Sequence, residues 1–177
     1  MSTDRRARPA PVSLYLVGKP SAAFGMHRTA VAAASLTLAM LWIGLRPATA
    51  SNDTYFPQQW GLQKVGAEQA WGVARGQGVI IGIIDSGVKL NHPDLQANLL
   101  PGWDFVDKDD YPDDGQGHGT LVAGVAAAVA GNGEGIAGVA PEAKILPVRV
   151  FDSGGNSRSD VVSTGIRWAV EEARRRG

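Results

Sequence analysis

The stretch GVIIGIID, Gly78–Asp85, decides the fold of this chain. It is a continuous apolar run that begins at a glycine, which is typical of a strand buried on both faces of a parallel sheet. A second run of this kind, AKILPVRVF, occupies residues 143–151, although Pro147 weakens the pattern. The two runs predict two strands of one parallel sheet.

A helical pattern follows each predicted strand. Residues 120–129 are almost all Ala, Val and Gly, which predicts a buried helix packed closely on the sheet. In residues 159–177 the apolar side chains recur at helical spacing. The order strand, helix, strand, helix implies right-handed crossovers. We therefore expect an α/β fold: a parallel sheet with helices on both faces.

The composition suits one globular domain. The chain has 177 residues, of which 44% are hydrophobic and 19% are charged, and the lack of cysteine excludes disulfides and thiol chemistry. Residues 1–50 carry six Lys or Arg and one Asp, a net charge of +5; residues 51–177 carry eleven Lys or Arg and sixteen Asp or Glu, a net charge of −5. The acidic larger part argues against nucleic acid as the main partner.

The basic first part predicts a targeting segment. After Met26, a basic pair precedes an apolar run over residues 30–45, and ATA at residues 48–50 fits a cleavage site. The run is short for a membrane span, which leaves an uncleaved anchor as the alternative. We expect a signal peptide over residues 26–50, and a secreted, extracellular product with no stable membrane association after cleavage. Residues 1–25 predict no fold, or a mis-called start upstream of Met26.

Two residues are candidates for proton chemistry. Asp85 directly follows the first predicted strand, where a carboxylate needs a partner, although a turn-forming aspartate would look the same. His118 lies between two glycines at the start of the predicted helix, where the helix dipole disfavours imidazolium. A helix-capping histidine is the alternative. A dinucleotide-binding loop would need Gly-x-Gly-x-x-Gly after a strand, and GHGTLVAG has a different spacing.

Taken together, these motifs resemble a known family. GVIIGIIDSGVKLNHPDL, GQGHGTLVAGVAAA and GIAGVAPEAKILPVRVFD are similar to segments of the subtilisin-like serine proteases, and the resemblance covers nearly all of residues 52–173. It implies a three-layer α/β fold that hydrolyses peptide bonds of protein or peptide substrates with an Asp/His/Ser triad, monomeric when complete. Asp85 would be the orienting acid and His118 the general base, in the Asp–His–Ser order of this family.

The third member of that triad has no counterpart in the sequence. None of the four serines that follow His118 lies in a motif like GTSMA, where the family carries its nucleophile. We expect residues 51–177 to be the N-terminal portion of a truncated peptidase domain, inactive by itself. The alternative is an inactive pseudo-protease or a calcium-binding interaction module, and the reading frame beyond residue 177 would distinguish them. Primary substrate specificity is not predictable from these residues.

The resemblance also implies binding sites. Gly155, Asn156 and Ser157 would match the residues that bond the substrate backbone. Structural Ca²⁺ would bind the aspartate-rich loop through Asp104, Asp107, Asp109, Asp113 and the carbonyl of Tyr111, and the alternative is a solvated acidic loop. A second calcium site would use Asp53, Asp94, Asn132 and the carbonyls of Val129, Glu134 and Ile136.

Overall fold

A computed structural model describes residues 51–177. The predicted signal peptide over residues 26–50 and the predicted structureless or mis-called residues 1–25 lie outside the described residues. In the part of the chain that is described, no helix has the length and apolar character needed to cross a bilayer.

The described chain is an α/β fold. The helices are α1, Trp60–Val65; α2, Ala67–Ala70; α3, His118–Ala127; and α4, Ser159–Arg176. The strands are β1, Ile80–Asp85; β2, Trp103–Asp104; and β3, Lys144–Arg149, and two short 3-10 turns cover Phe56–Gln58 and Gln96–Asn98.

The three strands form one parallel sheet in the order β1-β3-β2. Asp85 at the end of β1 is the register partner of Arg149 at the end of β3. Strand β2 is only two residues long, too short for any periodic pattern in the sequence to indicate it. Both predicted strands are present, and β3 takes the central position.

Pro147 lies inside this central strand, where its missing N–H would normally break the ladder. The backbone of β3 alternates: Lys144 and Val150 donate their N–H groups toward β1, whereas the carbonyl of Ile145 accepts from the β2 side. Position 147 therefore faces the β2 side, and β2 pairs only from Trp103 onward. The missing N–H of Pro147 therefore removes no hydrogen bond to β1, which explains why the strand tolerates the proline.

Helices cover both faces of the sheet, as predicted. Ile83 of β1 and Ile145 of β3 pack in one core cluster with Ala123 and Ala127 of α3. On the opposite face, β3, the residue after it and α4 form a second cluster that contains Leu146, Val148, Val150 and Ala169. Because side chains alternate along each strand, the strands contribute residues to two separate cores, one on each face.

Helix α3 is not fully buried, contrary to the prediction. Ala123 and Ala127 are inaccessible, but Leu121 and Val125 are 71% and 61% exposed. Only the face of α3 toward the sheet is covered. Because the helix is apolar all round, its sequence does not reveal which face is the buried one.

Candidate active site

Asp85 lies at the carboxyl edge of the sheet, where open α/β folds hold their ligands. Its side chain is 15% exposed. The next residue holds the carboxylate in place, because the N–H of Ser86 donates to Asp85 Oδ1 at 2.7 Å. Asp85 is therefore a largely buried, oriented carboxylate.

His118 is the first residue of α3, and its ring meets this carboxylate. Nδ1 lies 2.8 Å from Asp85 Oδ1 and 2.9 Å from Oδ2. The N-cap residue Gly117 has a φ of 102°, a left-handed conformation that glycine adopts without strain. The imidazole is 64% exposed. An ionised carboxylate only accepts hydrogen bonds, so Nδ1 carries the proton and Nε2 of a neutral ring has a free lone pair.

The start of α3 approaches β1 very closely. A Cβ atom at Gly119 would stand 2.0 Å from the carbonyl oxygen of Gly87 and 3.0 Å from the Cβ of Asp85. Only a residue without a side chain fits here. This close packing brings His118 within reach of Asp85.

Asp114 is a further polar residue of the site that the motifs do not indicate. Its carboxylate accepts from the N–H groups of Gln116, Gly117 and Thr120 and from the hydroxyls of Ser86 and Thr120. Burial opposes its ionisation, but the hydrogen bonds outweigh burial and lower the pKa of Asp114 to about 2. The available signal is an aspartate four positions before the histidine, which is too weak to single out among six aspartates in residues 104–114.

No nucleophile completes the pair within residues 51–177. In this range no serine or threonine hydroxyl forms a hydrogen bond with Nε2 of His118. The Ser86 hydroxyl, the nearest in sequence to Asp85, donates to Asp114 and accepts from the N–H of Gly119.

The loop that carries Gly155, Asn156 and Ser157 joins β3 to α4. Hydrogen bonds to Asp152 close the centre of the loop. The N–H of Gly155 donates to the carbonyl of Asp152, and the N–H of Asn156 donates to its side chain. The carbonyl of Asn156 accepts from the N–H of Asp152. Ser157 Oγ donates to the carbonyl of Val150 at 2.5 Å. Within the described chain the carbonyl of Gly155 and the N–H of Ser157 have no hydrogen-bond partner.

Asp53 and Asp94 lie together at one loop, far in sequence from each other. They are 3% and 2% exposed. Asp53 accepts from the N–H groups of Gly131, Asn132 and Gly133, and Asp94 accepts from Asn132 Nδ2 and Ile136 N–H. In residues 51–177 no lysine, arginine or histidine side chain pairs with either carboxylate.

Within residues 51–177, the carboxylates of Asp53 and Asp94 are compensated only by hydrogen-bond dipoles. This environment suits a bound cation, because buried charges normally require an opposite charge or a metal. Over the described residues, no three His, Cys, Asp or Glu side chains converge on one point. A calcium site here would therefore depend on the side chain of Asn132 and the expected carbonyls of Val129, Glu134 and Ile136, which belong to the same loop.

The carboxylates of the aspartate-rich loop form hydrogen bonds and ion pairs with other groups of the chain. Nη1 of Arg149 contacts both Asp104 and Asp107 at 2.6 Å, so one guanidinium already serves both carboxylates. Asp113 binds elsewhere, accepting from Lys89 Nζ at 2.8 Å, and Asp109 accepts from the N–H of Tyr111. The four expected carboxylates thus contact these three partners between them, of which Arg149 and Lys89 are cationic.

Comparisons with known proteins identify the family of this chain. A sequence model of the subtilase family, peptidase S8, matches residues 76–176. Thermitase of Thermoactinomyces vulgaris is 52% identical over 122 residues, which cover 68% of this chain and 44% of thermitase. The extracellular basic protease of Dichelobacter nodosus is 36% identical over 160 residues, covering 70% of this chain and 26% of that protein.

A solved structure shares the fold. A protease from Pseudoalteromonas arctica superposes with a TM-score of 0.61 at 33% identity, covering 68% of this chain and 44% of that one. The chain spans less than half the length of these relatives. The family match extends over more than half of the chain and includes both Asp85 and His118. The chain belongs to the subtilase family of serine peptidases.

Proposed function

We propose that this chain supplies the acid and the base of a serine endopeptidase, with Asp85 orienting His118 and His118 acting as general base. The observation that carries the proposal is the pairing of Nδ1 with both oxygens of the Asp85 carboxylate, at 2.8 and 2.9 Å. Asp85 holds the ring in one tautomer and stabilises the imidazolium that forms when Nε2 takes a proton.

The step that His118 performs follows from its exposure. Nε2 would take the proton of a serine hydroxyl as that oxygen attacks the peptide carbonyl, and would then pass the proton to the leaving amine. The serine and the oxyanion-hole donors are not recognisable in this chain. Residues 51–177 alone are therefore proposed to cleave no peptide bond at a triad-like rate.

The loop after β3 is the proposed contact for an extended substrate. The Gly155 carbonyl and the Ser157 N–H are one acceptor and one donor, the pair that an added peptide strand requires. Asn156, by contrast, uses its backbone groups inside the loop, so its role is to shape the turn rather than to bond the peptide backbone.

Structural Ca²⁺ is proposed for the loop that holds Asp53 and Asp94. The cation would compensate two buried carboxylates and would tie residues near position 53 to the loop over residues 129–136. The aspartate-rich loop is not proposed as a second site, because Arg149 and Lys89 already pair with three of its four expected carboxylate ligands.

Export is part of the same proposal. Two relatives, from Dichelobacter nodosus and Xanthomonas campestris, are named extracellular proteases, and the signal-like segment over residues 26–50 supports the same destination. The proposed product is a secreted, monomeric protease that acts on proteins or peptides and has no nucleic-acid partner.

A chimera tests the catalytic assignment. Residues 52–173 replace the matching segment of thermitase, so that the remaining half of that protease completes the domain. The chimera is expected to hydrolyse a peptide substrate, and His118→Ala is expected to lower kcat by about 10⁴-fold or more. His92→Gln is the matched control, because His92 contacts Asp94 rather than Asp85. A folded chimera whose activity survives His118→Ala contradicts the assignment.

A further inference from the structure

The first turn of α3 lacks an ordinary cap. The N-cap residue is Gly117, which has no side chain to accept from the free N–H groups of the helix. The helix that presents His118 therefore needs acceptors from elsewhere in the fold. Two residues outside α3 provide them.

Asp114 is the first of these acceptors. Its Oδ1 accepts from Gly117 N–H at 2.8 Å and its Oδ2 from Thr120 N–H at 2.9 Å, so one carboxylate bonds residues on both sides of His118. Oδ2 also accepts from the hydroxyl of Thr120. The carboxylate thus does from three residues upstream what an N-cap side chain would do.

Ser86 is the second acceptor, and it belongs to the other half of the pair. Its hydroxyl accepts from Gly119 N–H at 3.0 Å and donates to Asp114 Oδ1 at 2.9 Å. Its own N–H donates to Asp85 Oδ1. Ser86 is 1% exposed. A continuous set of hydrogen bonds therefore joins the Asp85 carboxylate, through Ser86 and Asp114, to the helix turn that bears His118.

The exposure of His118 makes this network important. The imidazole is 64% exposed, so close packing does not hold the ring. Its position depends on its backbone anchor and on the bond from Nδ1 to Asp85. A small rotation of the first turn of α3 would lengthen that bond and release the ring to other orientations.

We propose that Asp114, acting through Ser86 and the first turn of α3, is a positioning residue that keeps Nδ1 of His118 on the Asp85 carboxylate. The inference rests on the proposed roles of Asp85 and His118. The inference explains why an exposed histidine keeps one tautomer. The Asp114 carboxylate binds both Ser86, which holds Asp85, and the helix turn that bears His118.

The test reads the ring directly and needs no enzymatic activity. Long-range ¹H–¹⁵N correlation spectra of the full chain report the tautomer of His118, whose signals are assigned by their loss in His118→Gln. The variants are Asp114→Ala, Asp114→Asn and Ser86→Ala. Asp110→Asn is the matched control, since Asp110 is an exposed aspartate of the same loop.

A graded result is expected. The native chain and Asp110→Asn show a single Nδ1–H tautomer for neutral His118. Asp114→Ala loses all the bonds to the carboxylate and shows mixed tautomers with averaged ¹⁵N shifts. Asp114→Asn gives an intermediate loss, because its carbonyl oxygen keeps the Gly117 bond while its amide nitrogen cannot accept from Thr120. Ser86→Ala removes the hydroxyl that bonds Asp114 and the Gly119 N–H, and it also releases the ring.

Other results would overturn the inference in distinguishable ways. A folded Asp114→Ala chain that keeps the native tautomer and shifts shows that Asp114 only caps the helix. If that variant unfolds, Asp114→Asn and Ser86→Ala decide in the same way, with circular dichroism and the His92 signals as folding controls. Mixed tautomers in the native chain would instead contradict the Asp85–His118 pair. Loss of protease activity in a chimera with a native tautomer pattern would leave the positioning role intact.

Discussion

The closest approach in the site predicts opposite effects for the same substitution at two positions of α3. Gly119 and Gly124 both lie in this helix. In a helix interior, alanine is favoured over glycine by about 1 kcal/mol. Helix propensity alone would therefore make both Gly→Ala variants more stable.

The surroundings of the two glycines differ. A Cβ at Gly119 would stand 2.0 Å from the carbonyl oxygen of Gly87, far inside the roughly 3.5–4.0 Å at which non-bonded carbon contacts are optimal. Because the neighbour is backbone, the helix start or the turn after β1 must move, and overpacking of this kind costs about 1–3 kcal/mol or more. At Gly124 the nearest atom is Cδ1 of Ile136 at 3.4 Å, an ordinary contact with the end of a flexible side chain.

We therefore expect Gly119→Ala to lower the free energy of unfolding by about 1–3 kcal/mol and Gly124→Ala to raise it by about 0.5–1 kcal/mol. Urea unfolding followed by circular dichroism measures both, with the midpoint compared at unchanged m-value. Gly119→Ala should also disturb the ¹⁵N signals of His118, because the turn that anchors the ring must shift.

The reasoning is refuted if Gly119→Ala is as stable as Gly124→Ala. That outcome would mean that α3 does not contact the turn after β1, and the proximity of His118 to Asp85 would then lack its structural cause.

Three other predictions concern charge. Arg149→Met should destabilise the chain by about 3–5 kcal/mol in the same urea assay, because it leaves the inaccessible Asp104 carboxylate unpaired. Arg158→Met, the control, breaks an exposed pair and should leave the urea midpoint nearly unchanged. The pKa of Asp114 in the folded chain, about 2, lies below its usual 3.8. The stability that its ionisation contributes is therefore present above about pH 4 and is lost as the pH falls toward 2. Over this range the free energy of unfolding should fall less steeply in Asp114→Asn than in the native chain. Ca²⁺ at a hundredfold excess over its dissociation constant should stabilise the chain by about 2.7 kcal/mol in thermal melts, a gain that Asp94→Asn removes and that a chelator reverses; an unchanged melting curve would contradict the calcium proposal.

Local patterns in the sequence were sufficient for the main elements of the fold. The run of isoleucines before Asp85 predicts a strand buried on both faces, and β1 packs against α3 on one face and α4 on the other. The second run predicts β3 despite its proline. The extent of burial of α3 was not predictable, because an all-apolar helix carries no mark of its covered face.

The residues that carry the proposed chemistry also follow from local sequence. Asp85 ends a buried strand and His118 begins a helix after a glycine, and both motifs match the family. Their mutual distance does not follow, because 33 residues separate them along the chain. The tertiary structure determines it, through the approach of α3 to the turn after β1 and the hydrogen bonds of Asp114 and Ser86.

The tertiary structure alone decided three further features. Asp114 and Ser86 connect Asp85 to the helix turn of His118. Arg149 pairs with carboxylates of the aspartate-rich loop, and β2 pairs with β3. The physical reason is common to all three. A side-chain type and its spacing record local propensity and burial, which short windows of sequence express. The partner of a carboxylate or of a two-residue strand depends on which distant segment the fold brings beside it, and no local pattern carries that information.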